Sequence, residues 1–93
     1  MVSAVVLIKA QIGAITEVAR SLVLLKGITH VYSVAGNYDL VALVAVKEND
    51  DLADLVTHSI RKIPDISATE TLIAFRVYTH EEMAAAMSFG IEG

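Results

Sequence analysis

The chain contains no cysteine. Disulfide staples and thiolate metal sites are therefore excluded, and the expected compartment is the cytoplasm. Basic residues are scarce as well: seven Lys and Arg stand against eleven Asp and Glu, for a net charge of -4. Only Arg61 and Lys62 are adjacent. Duplex binding draws its affinity from clustered cations that displace counterions from phosphate, so direct contact with nucleic acid is not expected. No apolar run approaches the roughly 18 to 20 residues of a membrane helix. The longest, Leu40 to Val46, is flanked by Asp39 and Lys47. The first residues lack a basic region and pass through Lys9 into strand-like sequence, so neither a targeting segment nor membrane insertion is read. With one proline and no long polar stretch, the 93 residues leave room for a single domain.

What the chain has is apolar surface, at 55% of residues. A domain of this size buries only roughly 60 to 65% of its unfolded surface, so the surplus must be covered in some other way. Residues 2–10 are β-rich and apolar at both parities, which reads as a strand covered on both faces. From Ala14 the period becomes helical: Ile15, Val18, Ala19, Leu22 and Leu25 form one stripe, Lys26 stands in the last turn and Gly27 supplies a left-handed stop. Residues 28–35 and 39–47 read as two strands joined tightly at Gly36-Asn37. Asn49 or Asp50 caps a second helix with the stripe Leu52, Leu55, Val56, Ile60 and Ile63, and Pro64 ends it. Residues 66–78 read as a long last strand. Thr79-His80-Glu81-Glu82 is then a capping box for a short Ala- and Met-rich helix ending near Gly90.

One constant shift lays Val6 on Val44, Ile8 on Val46, Lys9 on Lys47, Val18 on Val56, Leu22 on Ile60 and Ile28 on Ile66. Two βαβ halves result. They predict an α+β, ferredoxin-like βαββαβ sandwich: a four-stranded antiparallel sheet, two helices on one face, and a short C-terminal helix. Two helices cover one face only, yet Val5 to Ile8 and Leu40 to Val46 are apolar on both. A homodimer packed sheet to sheet is the expected cover.

Catalytic groupings are sparse. His30, His58 and His80 are far apart with no His-x-x-x-His spacing, so no metal site or cofactor is expected. Ser33 and Ser59 lack an identifiable base, and Asp50 and Asp51 read as helix-start charges. His30 and Tyr32 share a strand face, which keeps open the alternative of a small ferredoxin-like enzyme of monooxygenase type.

The passage from Val31 to Leu40, with Gly36-Asn37-Tyr38-Asp39 at its centre, resembles the G-x-x-D hairpin of Lrp/AsnC effector domains. Ile63-Pro64-Asp65-Ile66-Ser67-Ala68-Thr69-Glu70-Thr71 is similar to that family's "lPgV..t.T" passage, with Asp65 in place of the usual glycine. The resemblance spans most of the chain but includes no helix-turn-helix. It implies a non-catalytic regulatory domain that dimerises, assembles into a larger oligomer such as an octamer or decamer, and binds an amino acid between dimers. Full-length regulators of the same family are the implied partners. An ACT-like regulatory domain of the same topology remains an alternative. An amino-acid site needs a partner for the ammonium and donors for the carboxylate. Asp39 is read as the first, the backbone of Gly36, Asn37 and Tyr38 with a hydroxyl of Thr69 or Thr71 as the second, and Tyr38 as part of the wall.

Overall fold

The computed structural model describes residues 1–85. Its elements are β1 (Val2–Ala10), α1 (Ile15–Val23), β2 (Ile28–Ser33), β3 (Leu40–Val46), α2 (Asn49–Asp54, continuing as a π-helical turn over Leu55–Ser59) and β4 (Ile66–Ile73). The four strands form one sheet in the order β2-β3-β1-β4, and all three pairings are antiparallel. This is the predicted ferredoxin-like sandwich.

Alternation along the strands decides which face is core. Ala4, Val6, Ile8 and Ala10 of β1 and Leu40, Ala42 and Val44 of β3 are buried beneath the helices. They meet Val18 and Leu22 of α1 and Leu52, Leu55, Ile60 and Ile63 of the second helical segment and its exit. Ser3, Val5 and Leu7 of β1 and Val41, Leu43 and Ala45 of β3 point the other way and stay half-buried, with no helix over them among the described residues. His30 and Tyr32 of β2 and Glu70 and Leu72 of β4 share that open face, opposite Leu43, Val41, Leu7 and Val5.

Several boundaries differ from the sequence reading. Helix α1 stops at Val23, and Lys26 belongs to the following turn rather than the helix. In that turn Gly27 has φ 101°, and a Cβ there would lie 2.7 Å from Val46 Cγ1. The second helix is capped by Glu48, not Asn49 or Asp50: the Glu48 N–H donates to Asp51 Oδ2 at 3.1 Å. The connection from β2 to β3 runs through residues 34–39 rather than a two-residue turn, closed by Val34 N–H donating to Asp39 O at 3.0 Å. Strand β4 ends at Ile73, short of Tyr78, because its partner β1 begins at Val2 and Ile73 already pairs with Ala4. Thr79 caps the last helical turns, residues 80–85, by accepting the Glu82 N–H at 3.1 Å. The expected end of that helix near Gly90 lies outside the described residues. Among the described residues no helix is long and apolar enough to cross a membrane.

Candidate functional site

The hairpin loop sits at the end of the sheet where β1 exits. The register between β1 and β4 shifts between Lys9 and Ala10, and the Ala10 N–H turns to Asp39 Oδ2 at 3.0 Å. The Asp39 N–H donates to Ile8 O at 2.9 Å. Asp39 is thus tied to β1 through both backbone and carboxylate. The adjacent Tyr38 is tied further across: its hydroxyl donates to Glu70 Oε2 of β4 at 3.0 Å. That hydrogen bond, with partial desolvation and the negative charge of Glu70, pushes the Tyr38 phenol above its ordinary value.

Between these pins and Val34 the chain is free. Ala35, Gly36 and Asn37 are exposed, and the N–H groups of residues 35–38 have no backbone partner among the described residues. Unpaired N–H groups on a held loop are donors for a carboxylate. Just below, the Gln11 N–H donates to Asp65 O at 2.8 Å. Asp65 there has φ 70°, the left-handed conformation that explains a glycine preference at this position.

The two threonines do not join the hairpin within one protomer. Thr69 pairs with Ile8 and Thr71 with Val6, so both share the helix-side face, whereas Glu70 between them faces the open side with Tyr38. Thr69 borders a depression of about 180 Å³ with Ile60, Arg61 and Ile63. Thr71 borders a separate apolar groove of about 440 Å³ with Leu52, Val56 and Ile73. A larger cleft, about 540 Å³, opens at the opposite end of the sheet around Gly27, Val46 and Leu55. His30 and Tyr32 line none of these three; their rings stack on the open face, 6.1 Å between centroids and 9° between planes. Glu70 escaped the sequence reading, although it is the only charged residue in Ile66–Ile73. A lone carboxylate in an otherwise uncharged strand was the available signal.

A split βαβ sandwich with a pinned, donor-rich hairpin has the build of a ligand-binding regulatory domain. Residues 3–84 match the Lrp/AsnC ligand binding domain, and the chain belongs to that family. The HTH-type transcriptional regulator FL11 of Pyrococcus abyssi is 35% identical over 79 residues, which are 85% of this chain and 50% of that protein. The chain therefore spans about half the length of that regulator. The crystal structure of TTHA0845 from Thermus thermophilus is similar with 40% identity and a TM-score of 0.81, over 86% of this chain and 100% of that one. The feast or famine regulatory protein Rv3291c from M. tuberculosis, complexed with L-methionine, is 27% identical with a TM-score of 0.69, over 86% and 54% of the two chains.

Proposed function

We propose that this chain is a non-catalytic module that senses a free amino acid and assembles through its sheet, acting in transcription regulation in the cytoplasm. The observation that carries this reading is the hairpin of a Lrp/AsnC ligand-binding domain, held by Tyr38 and Asp39 while its own N–H groups stay unpaired among the described residues. The M. tuberculosis relative was solved with L-methionine, which makes an α-amino acid the class to test first. In this reading Gly36, Asn37 and Tyr38 offer backbone N–H groups to the carboxylate. Asp39 takes the ammonium through Oδ1, since Oδ2 already serves Ala10. Tyr38 forms part of the wall. Thr69 and Thr71 come from a neighbouring copy, because in one protomer they face away from the Tyr38 side of the sheet.

The open sheet face supports dimerisation: Val5, Leu7, Val41 and Leu43 share it with the exposed Tyr32 and Leu72, and a second copy removes this surface from water. Dimers joined at the hairpins give the larger oligomer, an octamer or decamer. Duplex DNA and membranes are not partners of these residues, and DNA contact falls to full-length Lrp/AsnC regulators. The monooxygenase alternative has less support, since His30 and Tyr32 line none of the three clefts. A thermal-shift screen of the twenty amino acids tests the reading. Ligand at a hundred times its Kd stabilises the native state by about 2.7 kcal/mol, and binding must weaken on dilution if two copies share the site. Absence of any selective shift refutes amino-acid sensing. Light scattering on Leu43→Asp, expected to be monomeric, tests the sheet contact.

A further inference from the structure

The largest of the three clefts lies away from the hairpin and takes no part in the site proposed there. β3 runs from Leu40, beside the hairpin, to Val46 at the other end of the sheet, a distance of about 20 Å at the usual strand rise. The cleft around Val46 measures about 540 Å³, three times the depression beside Thr69, and falls within the roughly 300 to 1,000 Å³ of small-molecule sites. Its floor is apolar, formed by the half-buried Val46 and the buried Leu55. Two backbone features keep it open. A Cβ at Gly27 would lie 2.7 Å from Val46 Cγ1 and 3.6 Å from Leu55 Cδ2, so a side chain at this position would begin to fill the floor. The second helical segment also widens here: the Ile60 N–H donates to Leu55 O at 2.9 Å across the π turn, and the first and last residues of that turn, Leu55 and Ser59, both line the cleft. Such turns are rare and recur at functional sites.

The rim carries charges of both signs. Lys26 comes from the turn after α1 and Lys47 from the end of β3, whereas Asp51 and Asp54 come from α2, and all four are exposed. Neither lysine has a carboxylate within 4.0 Å among the described residues, whose ion pairs are Arg20 with Glu17 and His58 with Asp54. Asp51 uses Oδ2 to accept the Glu48 N–H and keeps Oδ1. Asp54 has His58 Nδ1 at 3.8 Å, beyond hydrogen-bond length. A simple anion is drawn by the lysines and repelled by the aspartates, and a simple cation meets the reverse. A molecule that carries both charges on an apolar body satisfies both pairs and covers Val46 and Leu55.

We propose that this cleft is a second ligand site, for a short zwitterion whose charges are separated by an apolar body, the chemistry of a free dipeptide. The ligand carboxylate lies between Lys26 and Lys47, its ammonium meets Asp51 Oδ1 and Asp54, the Ser59 hydroxyl donates to the peptide carbonyl, and an apolar side chain rests on Val46 and Leu55. A single amino acid holds both charges on one carbon and leaves most of this volume to water. The cleft and the hairpin are separate sites, and either can stand without the other.

Calorimetry on the full chain with L-alanyl-L-leucine tests the proposal. Wild type is expected to bind the dipeptide more tightly than it binds free alanine or leucine. Acetylating the amino end or amidating the carboxyl end, each of which removes one charge, is expected to weaken binding by roughly fivefold or more, the scale of an exposed ion pair. The double variant Lys26→Gln, Lys47→Gln and the single variant Asp54→Asn are expected to show the same loss, and since these side chains are exposed the ligand-free melting point should stay near that of wild type. If the cleft variants bind the dipeptide as wild type does, the proposal is overturned; a loss confined to Asp39→Asn then places the dipeptide at the hairpin. Absence of binding, equal affinity for the blocked dipeptides, or free alanine or leucine binding as tightly as the dipeptide overturns it as well, and none of these results bears on amino-acid binding at the hairpin, which Asp39→Asn reads separately.

Discussion

Asp39 has two tasks in this reading, and two substitutions separate them. One carboxylate oxygen accepts the Ala10 N–H at 3.0 Å in a half-buried setting; the other is free for a ligand. Asp39→Ala removes both. A hydrogen bond to a charged group is worth about 1.5 to 3 kcal/mol, and in a domain of this size each kcal/mol moves Tm by about 4 to 8 °C. The melting point of the ligand-free protein should therefore fall by roughly 6 to 24 °C. Asp39→Asn keeps an acceptor for Ala10 and discards the charge, so most of that stability should remain. Both variants lose the pairing with an ammonium, which at about 1.5 to 3 kcal/mol corresponds to roughly 10- to 150-fold weaker binding. Thermal melts give the first quantity and calorimetry with the selected amino acid the second. If Asp39→Asn binds as wild type does, Asp39 is only a strut; if Asp39→Ala melts with wild type, the Ala10 bond contributes nothing.

Other expectations follow from single backbone and side-chain facts. Gly27→Ala puts a side chain at φ 101° and 2.7 Å from Val46 Cγ1, which should cost roughly 2 to 5 kcal/mol by urea unfolding, the sum of left-handed strain and overpacking. Asp65→Gly relieves a side chain held at φ 70° and should raise stability by about 0.5 to 1 kcal/mol while leaving the carbonyl that Gln11 uses; an unchanged or lower midpoint rejects the strain argument. The raised Tyr38 pKa means that the fold favours the neutral phenol, so this contribution is complete below the ordinary tyrosine range and fades as pH rises through the higher folded value. In a Tyr32→Phe, Tyr78→Phe background, ultraviolet titration should show phenolate forming at lower pH once Glu70 is changed to Gln.

Much of the architecture is legible in the sequence because it depends on period. Val18 and Leu22 at helical spacing mark the core side of α1 and are buried there, whereas β1 and β3 are apolar at both parities, so the choice of Ala4, Val6, Ile8, Leu40, Ala42 and Val44 for the helix side comes from the packing and not from the pattern. The boundaries are less legible because partners set them. Residues 75–78 have strand-like composition, yet among the described residues they pair with no strand, since β1 starts at Val2. The second helix widens into a π turn at Leu55–Ser59, which an apolar stripe does not distinguish from a regular helix. At the hairpin, Gly36 to Asp39 stand out as residues, but the ties from Asp39 to Ala10 and from Tyr38 to Glu70 span 29 and 32 positions. No local pattern encodes a bond of that range.

Those two ties bear on how a bound effector would be reported. Ile8, Ala10 and Glu70 belong to the sheet, so the loop that offers the N–H groups is fixed to the rigid part of the protomer at β1 and at β4. A ligand then gains little by reordering the loop it touches. Under the proposed sharing of the site between copies, its binding energy acts instead on the contact between them. Linkage requires the reciprocal effect by the same factor: whatever strengthens assembly must strengthen ligand binding. A variant that loosens the hairpin without touching its donors, such as Glu70→Ala, should therefore weaken the coupling between assembly and affinity more than affinity itself. Calorimetry across a dilution series measures both in Glu70→Ala and wild type. A parallel loss of affinity at every concentration, with the concentration dependence intact, would show that the pins hold the loop but do not transmit its occupancy.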